Sequence, residues 1–369
     1  MIVAGEASGD LHGSKLVNAM RERDETLAFC GIGGPALKDA GVRIVVDAST
    51  LSVVGITEVF SKIPGLLKGM SIIKRCLQTM HPDLLILIDF PEFNLHVANF
   101  AKKLNIPVLY YISPQIWAWR PGRVKKIGKR IDHVAVILPF ETTYYKKHNI
   151  PATFVGHPLL DTDVTPRGAA LKRSPGEAPV VGLLPGSRDR EITRHLPVML
   201  DAAGLMVQRV KNVKFIVSLA PTVDKQFVEE IIRQHRQSLP VELESGSVKK
   251  IFEKSRLVVA SSGTVTLESA IFGTPMVIIY KVSPLSYWVG RMLVKVRHIG
   301  LVNLIAGREI VPELIQQDAS PDRIADLVSG MLNNPSGLEK IRQELLGTVE
   351  ALGGPGASQR VAGIAMNML

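Results

Sequence analysis

Short apolar runs alternate with helical patterns along most of the chain. Many of these runs are rich in β-branched residues and end in a turn, which is typical of buried parallel strands joined by helices. In the first half the predicted strands are Ile2–Ala4, Ala28–Ile32, Ile44–Val46, Leu84–Ile88, Val108–Ile112, Val134–Leu138 and Thr153–Val155. In the second half they are Val180–Leu184, Lys214–Ser218, Val241–Leu243, Leu257–Ala260 and Met276–Tyr280. The pattern predicts two doubly wound parallel sheets.

The alternation stops between Leu160 and Pro179, in a stretch rich in proline, glycine and charge. Such composition is typical of a linker. The sequence therefore predicts two Rossmann-like domains, at 1–165 and 180–352, facing each other across a cleft. Beyond Pro321 the pattern is helical, and a last helix within about 353–369 could return to the first domain.

Composition narrows the function classes. The chain has 369 residues, 46% of them hydrophobic, and its two cysteines, Cys30 and Cys76, cannot form a disulfide framework. No export signal is visible and no apolar run is long enough to span a bilayer, so a cytoplasmic location is expected. A net charge of +10 favours an anionic partner. Aromatic residues amount to only 5%, and no basic stripe carries stacking residues, so nucleic acid is not expected.

Three stretches combine basic and apolar residues. Around 120–131, basic residues surround apolar ones at helical spacing, which predicts an amphipathic helix whose basic face contacts either solvent or anionic lipid headgroups. Leu51–Leu77 is apolar with sparse lysines and predicts a loop and helix that either pack in the core or enter the bilayer interface. Tyr287–Arg297 is a similar apolar and basic run.

Candidate chemistry in the first domain follows the predicted strands. A Gly-rich turn with Glu6, Ser8 and Gly9 could bind a phosphate or sugar hydroxyl, or could be a plain strand-to-helix turn. Asp89 ends a fully apolar strand, where partial desolvation would raise its pKa and suit a general base, although it could instead cap the next helix. Gln115 lies beside Trp117 and Trp119, which fill the core or form a wall for a sugar ring or acyl chain.

Candidate groups in the second domain suit a nucleoside diphosphate. Gly186, Ser187 and Arg188 follow a strand and open a helix, so backbone and guanidinium N–H groups could clamp a diphosphate. A second turn and two isolated polar side chains extend this set, namely Ser262, Gly263 and Thr264 at the turn, Glu268 as a ribose acceptor, and Asn303 closing the pocket.

Two further features have a structural and a functional reading. His157 follows the last predicted strand of the first domain and is at least as consistent with a structural histidine as with a catalytic one. Asp161-Thr162-Asp163 resembles a metal-binding Asp-x-Asp, but it lies in the predicted linker instead of at a strand end. We therefore expect no metal and no cofactor.

The motifs AGEASGDLHG, LIDFPEFN, YISPQIWAWR, LPFE, VGHPLLD, LLPGSR, SSGTVTLE and LVNLIAGRE, in this order, resemble those of the lipid-A-disaccharide synthase family. The resemblance implies a GT-B fold and an inverting transferase that joins UDP-2,3-diacylglucosamine to 2,3-diacylglucosamine 1-phosphate, giving the β(1→6) lipid A disaccharide and UDP. It also implies a peripheral enzyme on the cytoplasmic face of a Gram-negative inner membrane, with an anionic membrane surface as partner. Whether a second copy of the chain is a partner in a homodimer stays open.

The resemblance assigns roles residue by residue. The family's aspartate falls on Asp89 and its arginine on Arg188, which implies that Asp89 deprotonates the acceptor 6-hydroxyl while Arg188 stabilises the departing UDP. Two other classes stay open at this point. One is a UDP-N-acetylglucosamine 2-epimerase of the same architecture, and the other is a non-catalytic membrane-associated binding protein.

Overall fold

The computed structural model describes residues 1–51, 59–119, 121–161, 178–221, 223–235, 239–283, 287–288, 291 and 296–369. Most of the predicted linker, the loop part of Leu51–Leu77 and most of Tyr287–Arg297 lie outside the described residues. The chain forms two compact units. Unit 1 comprises Met1–Asp161 and Leu352–Leu369, and unit 2 comprises Thr162–Ala351.

Unit 1 is built on a parallel sheet whose strands run in the order β3-β2-β1-β4-β5-β6-β7. The strands are β1 (Ile2–Ala4), β2 (Cys30–Gly33), β3 (Arg43–Asp47), β4 (Leu85–Ile88), β5 (Val108–Tyr111), β6 (His133–Val136) and β7 (Ala152–Phe154). The chain proceeds outwards from β1 through β2 to β3, then returns to the other side of β1 at β4. This reversal is the hallmark of a doubly wound sheet and produces a crevice at the carboxyl ends of β1 and β4.

Alternate residues of these strands enter cores on opposite faces of the sheet. Val3, Leu87 and Tyr110 belong to one apolar cluster, whereas their neighbours Ala4 and Ile88 belong to another. Because both faces are buried, the strands are apolar throughout instead of alternating with polar residues. The helices that cover the faces are α1 (Ala7–Arg21), α2 (Pro35–Asp39), α3 (Val59–Met80), α4 (Pro91–Lys103), α5 (Ile116–Trp119), α6 (Val124–Arg130) and α7 (Pro139–Lys146).

Unit 2 has the same topology without the seventh strand, in the order β10-β9-β8-β11-β12-β13. The strands are β8 (Val180–Leu184), β9 (Lys214–Leu219), β10 (Val241–Ser245), β11 (Leu257–Ser261), β12 (Met276–Tyr280) and β13 (Glu313–Ile315). The helices are α8 (Asp189–Arg209), α9 (Lys225–His235), α10 (Lys249–Lys254), α11 (Val265–Ile271), α12 (Leu301–Ala306), α13 (Pro321–Leu332) and α14 (Pro335–Glu350). The crevice of this unit lies between β8 and β11.

The last helix, α15 (Ala357–Met366), packs against α1 in unit 1. Asp161 fixes its beginning, because its carboxylate accepts hydrogen bonds from the backbone N–H groups of Gly356, Ala357 and Ser358 at 2.7–3.0 Å. Arg360 donates to three backbone carbonyls, including that of Val155 at 2.7 Å. An acidic cap on the first turn is the expected partner for unsatisfied helical N–H groups.

The amphipathic helix predicted at 120–131 is confirmed as a short 3₁₀ turn, Pro121–Arg123, followed by α6. Val124 and Ile127 are buried while Lys125, Lys126 and Lys129 are exposed. Within the described residues, no helix has both the length and the apolar character that crossing a membrane requires.

Candidate active site

Glu6 and Asp89 follow the two strands that border the crevice of unit 1. Glu6 is exposed two residues after the end of β1, and Asp89 comes directly after β4. These strands are hydrogen-bonded neighbours, with Ala4 paired to Ile88. The two carboxylates are close enough for their charges to interact. The structure therefore brings these two predicted site residues together at the position where doubly wound sheets bind ligands.

The backbone at Asp89 is strained. Asp89 and Phe90 have φ of 45° and 49°, a left-handed conformation that side chains other than glycine rarely adopt. Two buried side chains hold this turn in place. The Tyr110 hydroxyl donates to the Asp89 carbonyl at 2.8 Å, and the Asn94 amide donates to it at 2.7 Å and to the Ile88 carbonyl at 3.1 Å. Consecutive strained residues fixed by their surroundings are characteristic of functional turns.

The environment of Asp89 tunes its acidity. Burial, and then the charge of Glu6, raises its pKa from an ordinary 3.8 to about 6, despite an opposing hydrogen bond from the Phe90 backbone. A carboxylate with this pKa is ionised near neutrality and still basic enough to accept a proton from a hydroxyl in a transition state. Glu92, the other acid considered from the sequence, instead forms an ion pair with Arg123.

The Gly-rich turn after β1 contributes shape as well as polar groups. A Cβ on Gly5 would lie 2.3 Å from the Phe90 ring, so only glycine allows that ring to cover the turn. Ser8 is exposed and Gly9 is buried against Ile88. Asp10 is not available to a ligand, because its carboxylate accepts from the N–H groups at the start of α2, including Gly34 at 2.6 Å.

Gln115 is exposed in the turn that follows β5, the next strand beyond β4. Two side chains of helix α7 form hydrogen bonds with residues on either side of Gln115. The Trp117 indole donates to the buried Glu141 carboxylate at 3.0 Å, and the Tyr145 hydroxyl donates to Ser113 at 3.0 Å. Burial raises the pKa of Glu141 to about 7. Trp117 also meets the Phe140 ring edge-on, so the tryptophan is a structural support for Gln115.

In unit 2, Gly186, Ser187 and Arg188 follow β8 at the edge of the second crevice. Gly186 has φ of 127°, and a Cβ there would lie 2.4 Å from the Glu191 carboxylate. The Ser187 N–H donates to that carboxylate at 3.0 Å, so this predicted phosphate donor already has an acceptor within the turn. Arg188 is exposed at the position preceding α8.

A buried histidine supports this turn. His195 accepts from the Lys281 backbone N–H through Nε2 at 3.0 Å, and its Nδ1 lies 2.8 Å from the Pro185 carbonyl. Because Nε2 accepts, the proton belongs on Nδ1, which donates to Pro185. The neutral ring therefore joins the Gly-Ser-Arg turn to the segment after β12. Burial lowers the pKa of His195 and so favours this neutral form.

The turn after β11 lies on the other side of the second crevice. Gly263 and Thr264 are exposed, and Ser262 donates to the Ile299 carbonyl at 3.3 Å. Glu268 is half-buried one turn into α11, where burial raises its pKa. Since β8 and β11 are neighbours, the structure brings this turn beside the Gly-Ser-Arg turn, as the sequence predicted.

Asn303 differs from the expectation that it closes a nucleotide pocket. Its side chain is fully buried, its amide donates to Val311 at 2.8 Å and Glu313 at 2.7 Å, and its carbonyl accepts from Ile310 and Val311. Glu313 in turn accepts from the backbone of Ile299 and Gly300. Asn303 therefore acts within unit 2 by fixing the segment that contacts Ser262.

The contacts of His157 and Asp161 stabilise the fold of unit 1. His157 is buried, its backbone N–H donates to Leu352, and burial followed by the charge of His12 lowers its pKa to about 4. Asp161 caps α15, while Thr162 and Asp163 lie outside the described residues.

Comparison with known proteins establishes the family. Residues 1–367 match the family model described as lipid-A-disaccharide synthetase. The chain belongs to the lipid-A-disaccharide synthase family. It is 46% identical to the lipid-A-disaccharide synthase of Syntrophus aciditrophicus strain SB and 47% identical to that of Geobacter metallireducens, in each case over 100% of this chain and 97% of the relative. The chain is therefore a hexosyltransferase of lipid A biosynthesis that forms the lipid A disaccharide from lipid-linked sugars.

Solved structures share the fold. UDP-GlcNAc 2-epimerase from Neisseria meningitidis, bound to UDP-GlcNAc, superposes with a TM-score of 0.64 at 12% identity, covering 99% of both chains. The glycotransferase of kitacinnamycin gives 0.62 at 15% identity, covering 100% of this chain and 97% of the other. At such low sequence identity the similarity shows that this chain has the GT-B fold, and it says nothing about the reaction. The synthase relatives decide between the two enzyme classes, and the epimerase alternative is not favoured.

Proposed function

We propose that the chain transfers a diacylglucosamine unit from UDP-2,3-diacylglucosamine to the 6-hydroxyl of 2,3-diacylglucosamine 1-phosphate with inversion, giving the β(1→6) disaccharide and UDP. The observation that carries this proposal is Asp89, a half-buried carboxylate with a pKa of about 6 on a strained turn at the crevice of unit 1. A single base is the catalytic group that direct displacement at an anomeric carbon requires.

In the proposed step, Asp89 takes the proton of the acceptor 6-hydroxyl as the oxygen attacks the anomeric carbon of the donor. The new bond joins that oxygen to the carbon, and the bond from the carbon to the diphosphate oxygen breaks with its electron pair. Attack from the face opposite the leaving group inverts the configuration. Glu6, Ser8, Gly9 and Gln115, on the neighbouring turns of unit 1, are the proposed contacts to the acceptor sugar.

Unit 2 is the proposed holder of the departing UDP. Arg188, an exposed guanidinium beside the Gly186 turn, would neutralise charge that develops on the diphosphate. Gly263 and Thr264 would contribute donors from the opposite side of the same crevice. Ser262, whose hydroxyl donates to Ile299 and whose backbone N–H donates to Ile279, would position this turn. Glu268, one turn into α11, would accept hydrogen bonds from the ribose. Asn303 supports this set indirectly, through Glu313 and Ile299.

The test is product analysis with both purified substrates in detergent micelles, with and without EDTA. Acceptor-dependent UDP release, together with a β-linked disaccharide, is the expected result, and EDTA should leave the rate unchanged because Arg188 supplies the positive charge. Retention of the donor's anomeric configuration would contradict the proposed displacement. Conversion of UDP-N-acetylglucosamine to its 2-epimer, with no disaccharide, would contradict the proposal as a whole.

We further propose that the enzyme acts at an anionic membrane surface, on the cytoplasmic side of the inner membrane of a Gram-negative cell. The exposed lysines of α6 support this, since a row of cations over an apolar helix face suits lipid headgroups.

A further inference from the structure

A groove lies between α3 and α4 in unit 1. Its volume is about 470 Å³, which falls within the usual range for small-molecule sites of roughly 300–1,000 Å³. Apolar side chains from both helices and from Phe90, which precedes α4, form much of its lining. The helical ones are Leu66, Leu67, Met70, Phe93 and Phe100. Leu67 is 66% exposed, so the groove continues onto apolar surface. A long apolar group is the kind of ligand that such a lining would bind.

One wall of the groove comes from the turn that carries the candidate base. Phe90 is the residue that follows Asp89, and its ring stacks on that of Phe93 with centroids 5.2 Å apart. The left-handed backbone at Asp89 and Phe90 makes the chain turn sharply here, so the base and the aromatic wall of the groove come from one turn. Phe90 thus borders both the turn that carries Asp89 and the groove, so we expect a ligand that presents a hydroxyl to Asp89 to meet this apolar lining.

Charge along the groove favours an acidic ligand. Lys74 and Lys103 both contribute to the lining, and the Lys74 ammonium lies 5.6 Å from the centre of the Phe100 ring. The carboxylate at the groove, Glu92, is paired with Arg123. An apolar wall with cationic groups suits an acyl chain attached to a phosphorylated sugar.

We propose that this groove binds one acyl chain of the acceptor and that Met70 helps to set the chain length the enzyme prefers. The inference rests on the proposed function, because it takes Asp89 to be the base that acts on the acceptor. The acceptor, and not the donor, is the substrate whose sugar would lie at the start of the groove.

The experiment compares acceptors with short and long acyl chains in the wild type, Met70→Trp and His96→Trp. Met70 and His96 line the groove from α3 and α4 respectively, and His96 is exposed, so its variant tests the groove even if Met70→Trp folds poorly. Gln78→Trp is the matched control, since Gln78 is exposed on α3 and does not line the groove. The quantity measured is the ratio of kcat/KM for the long-chain acceptor to that for the short-chain acceptor, in the same micelles.

In the wild type and in Gln78→Trp, each additional buried methylene is expected to raise kcat/KM by up to about fourfold. Filling the groove should lower the long-to-short ratio by about tenfold or more, while activity with the short-chain acceptor is kept. Comparing the ratio between variants removes the effect of chain length on partitioning into micelles. Repeating the series with the donor's chains varied should show the same ratio in all variants.

Three results would overturn the inference. Equal losses of kcat/KM at every acceptor chain length would show that the groove does not bind the acyl chain. A ratio that changes only in the donor series would assign the groove to the other substrate. An unchanged ratio, together with weaker co-sedimentation of Met70→Trp and His96→Trp with substrate-free vesicles, would show that these residues contact the bilayer instead. Absence of disaccharide from the wild type would overturn the proposed function and, with it, this inference. The three results above, in contrast, come from an active enzyme and leave the proposed function standing.

Discussion

Asp89 combines an unfavourable backbone with an unfavourable charge. Its φ of 45° and its pKa of about 6 each cost the folded state free energy, since burial and Glu6 disfavour the ionised carboxylate. The cost of ionisation is absent below the unfolded pKa near 3.9 and is fully present above about pH 6. A fold retains such a residue when the residue performs a function.

Replacement of Asp89 by Asn should therefore separate activity from stability. We expect Asp89→Asn to lower kcat/KM about 10²–10⁴-fold, as for loss of a general base, while stability at pH 8 is equal to or greater than that of the wild type. In the wild type, kcat/KM should fall as the pH drops below about 6, and the residual activity of the variant should lack this step. Activity across pH and thermal melting check both expectations.

Asp83→Asn is the control, because Asp83 is exposed two residues before the strand begins, at the end opposite to Asp89. It should keep wild-type turnover. If Asp89→Asn turned over at the wild-type rate while folded, Asp89 would not be the base.

The sequence predicts the turns of the candidate site but not the contacts that support them. Asp89 and Arg188 are candidates on sequence grounds because each follows an apolar strand, and the end of such a strand is where an open α/β sheet binds ligands. The pairing of His195 with Lys281 joins residues 86 positions apart, and no local pattern indicates it. A polar Asn303 in an apolar stretch predicts a ligand group, whereas in the structure its buried amide donates to Glu313.

At the scale of elements, strands buried on both faces were the most predictable. The predicted strands Ile2–Ala4, Val180–Leu184 and Met276–Tyr280 coincide with observed ones, and the remaining predicted strands overlap β-strands with ends shifted by a few residues. Strand β13 was missed. Its three residues, Glu313–Ile315, include a charged one and are too short to show a period, and they form a strand by pairing with the edge of β12.

The cap on α15 gives a prediction at this scale. Asp161→Ala removes the acceptor of three N–H groups in the first turn, so we expect a loss of about 1–2 kcal/mol, concentrated in α15. Hydrogen exchange should accelerate about tenfold in that helix. Asp326→Ala, which breaks an exposed ion pair with Arg209, should change stability by less than about 0.5 kcal/mol.

The same cap has a defined pH dependence. Burial alone would raise the pKa of Asp161, but hydrogen bonds from Ser358, Ala357 and Gly356 outweigh it and hold the pKa below its ordinary value. A lowered pKa stabilises the fold above the unfolded pKa near 3.9, and the stabilisation is lost as the pH falls through the folded pKa. The difference between wild type and Asp161→Ala should therefore shrink in acid. A difference that is constant with pH would contradict the role of the carboxylate.

At the scale of the whole molecule, the net charge of +10 is shared between several basic regions. Composition alone indicates an anionic partner but cannot say which face meets it. The structure indicates one candidate surface for an anionic partner, the exposed face of α6. Lys125, Lys126 and Lys129 are exposed there, while the other face of this short helix is buried. Three cations held on one rigid face attract an anionic surface more than three dispersed ones, since screening limits each to about a Debye length.

We therefore expect the triple substitution Lys125→Gln, Lys126→Gln and Lys129→Gln to weaken binding to anionic vesicles. At about 1 kcal/mol per lysine, the binding constant should fall roughly 100-fold at low salt, with a smaller difference near about 0.15 M salt. The control is Lys211→Gln, Lys214→Gln and Lys340→Gln, which removes three exposed lysines of unit 2 and so lowers the net charge by the same three, from +10 to +7. Vesicle co-sedimentation measures both variants. Equal losses would mean that the overall charge, and not the α6 face, is what binds anionic vesicles. Binding that survives in neutral vesicles would assign the attraction to apolar contacts.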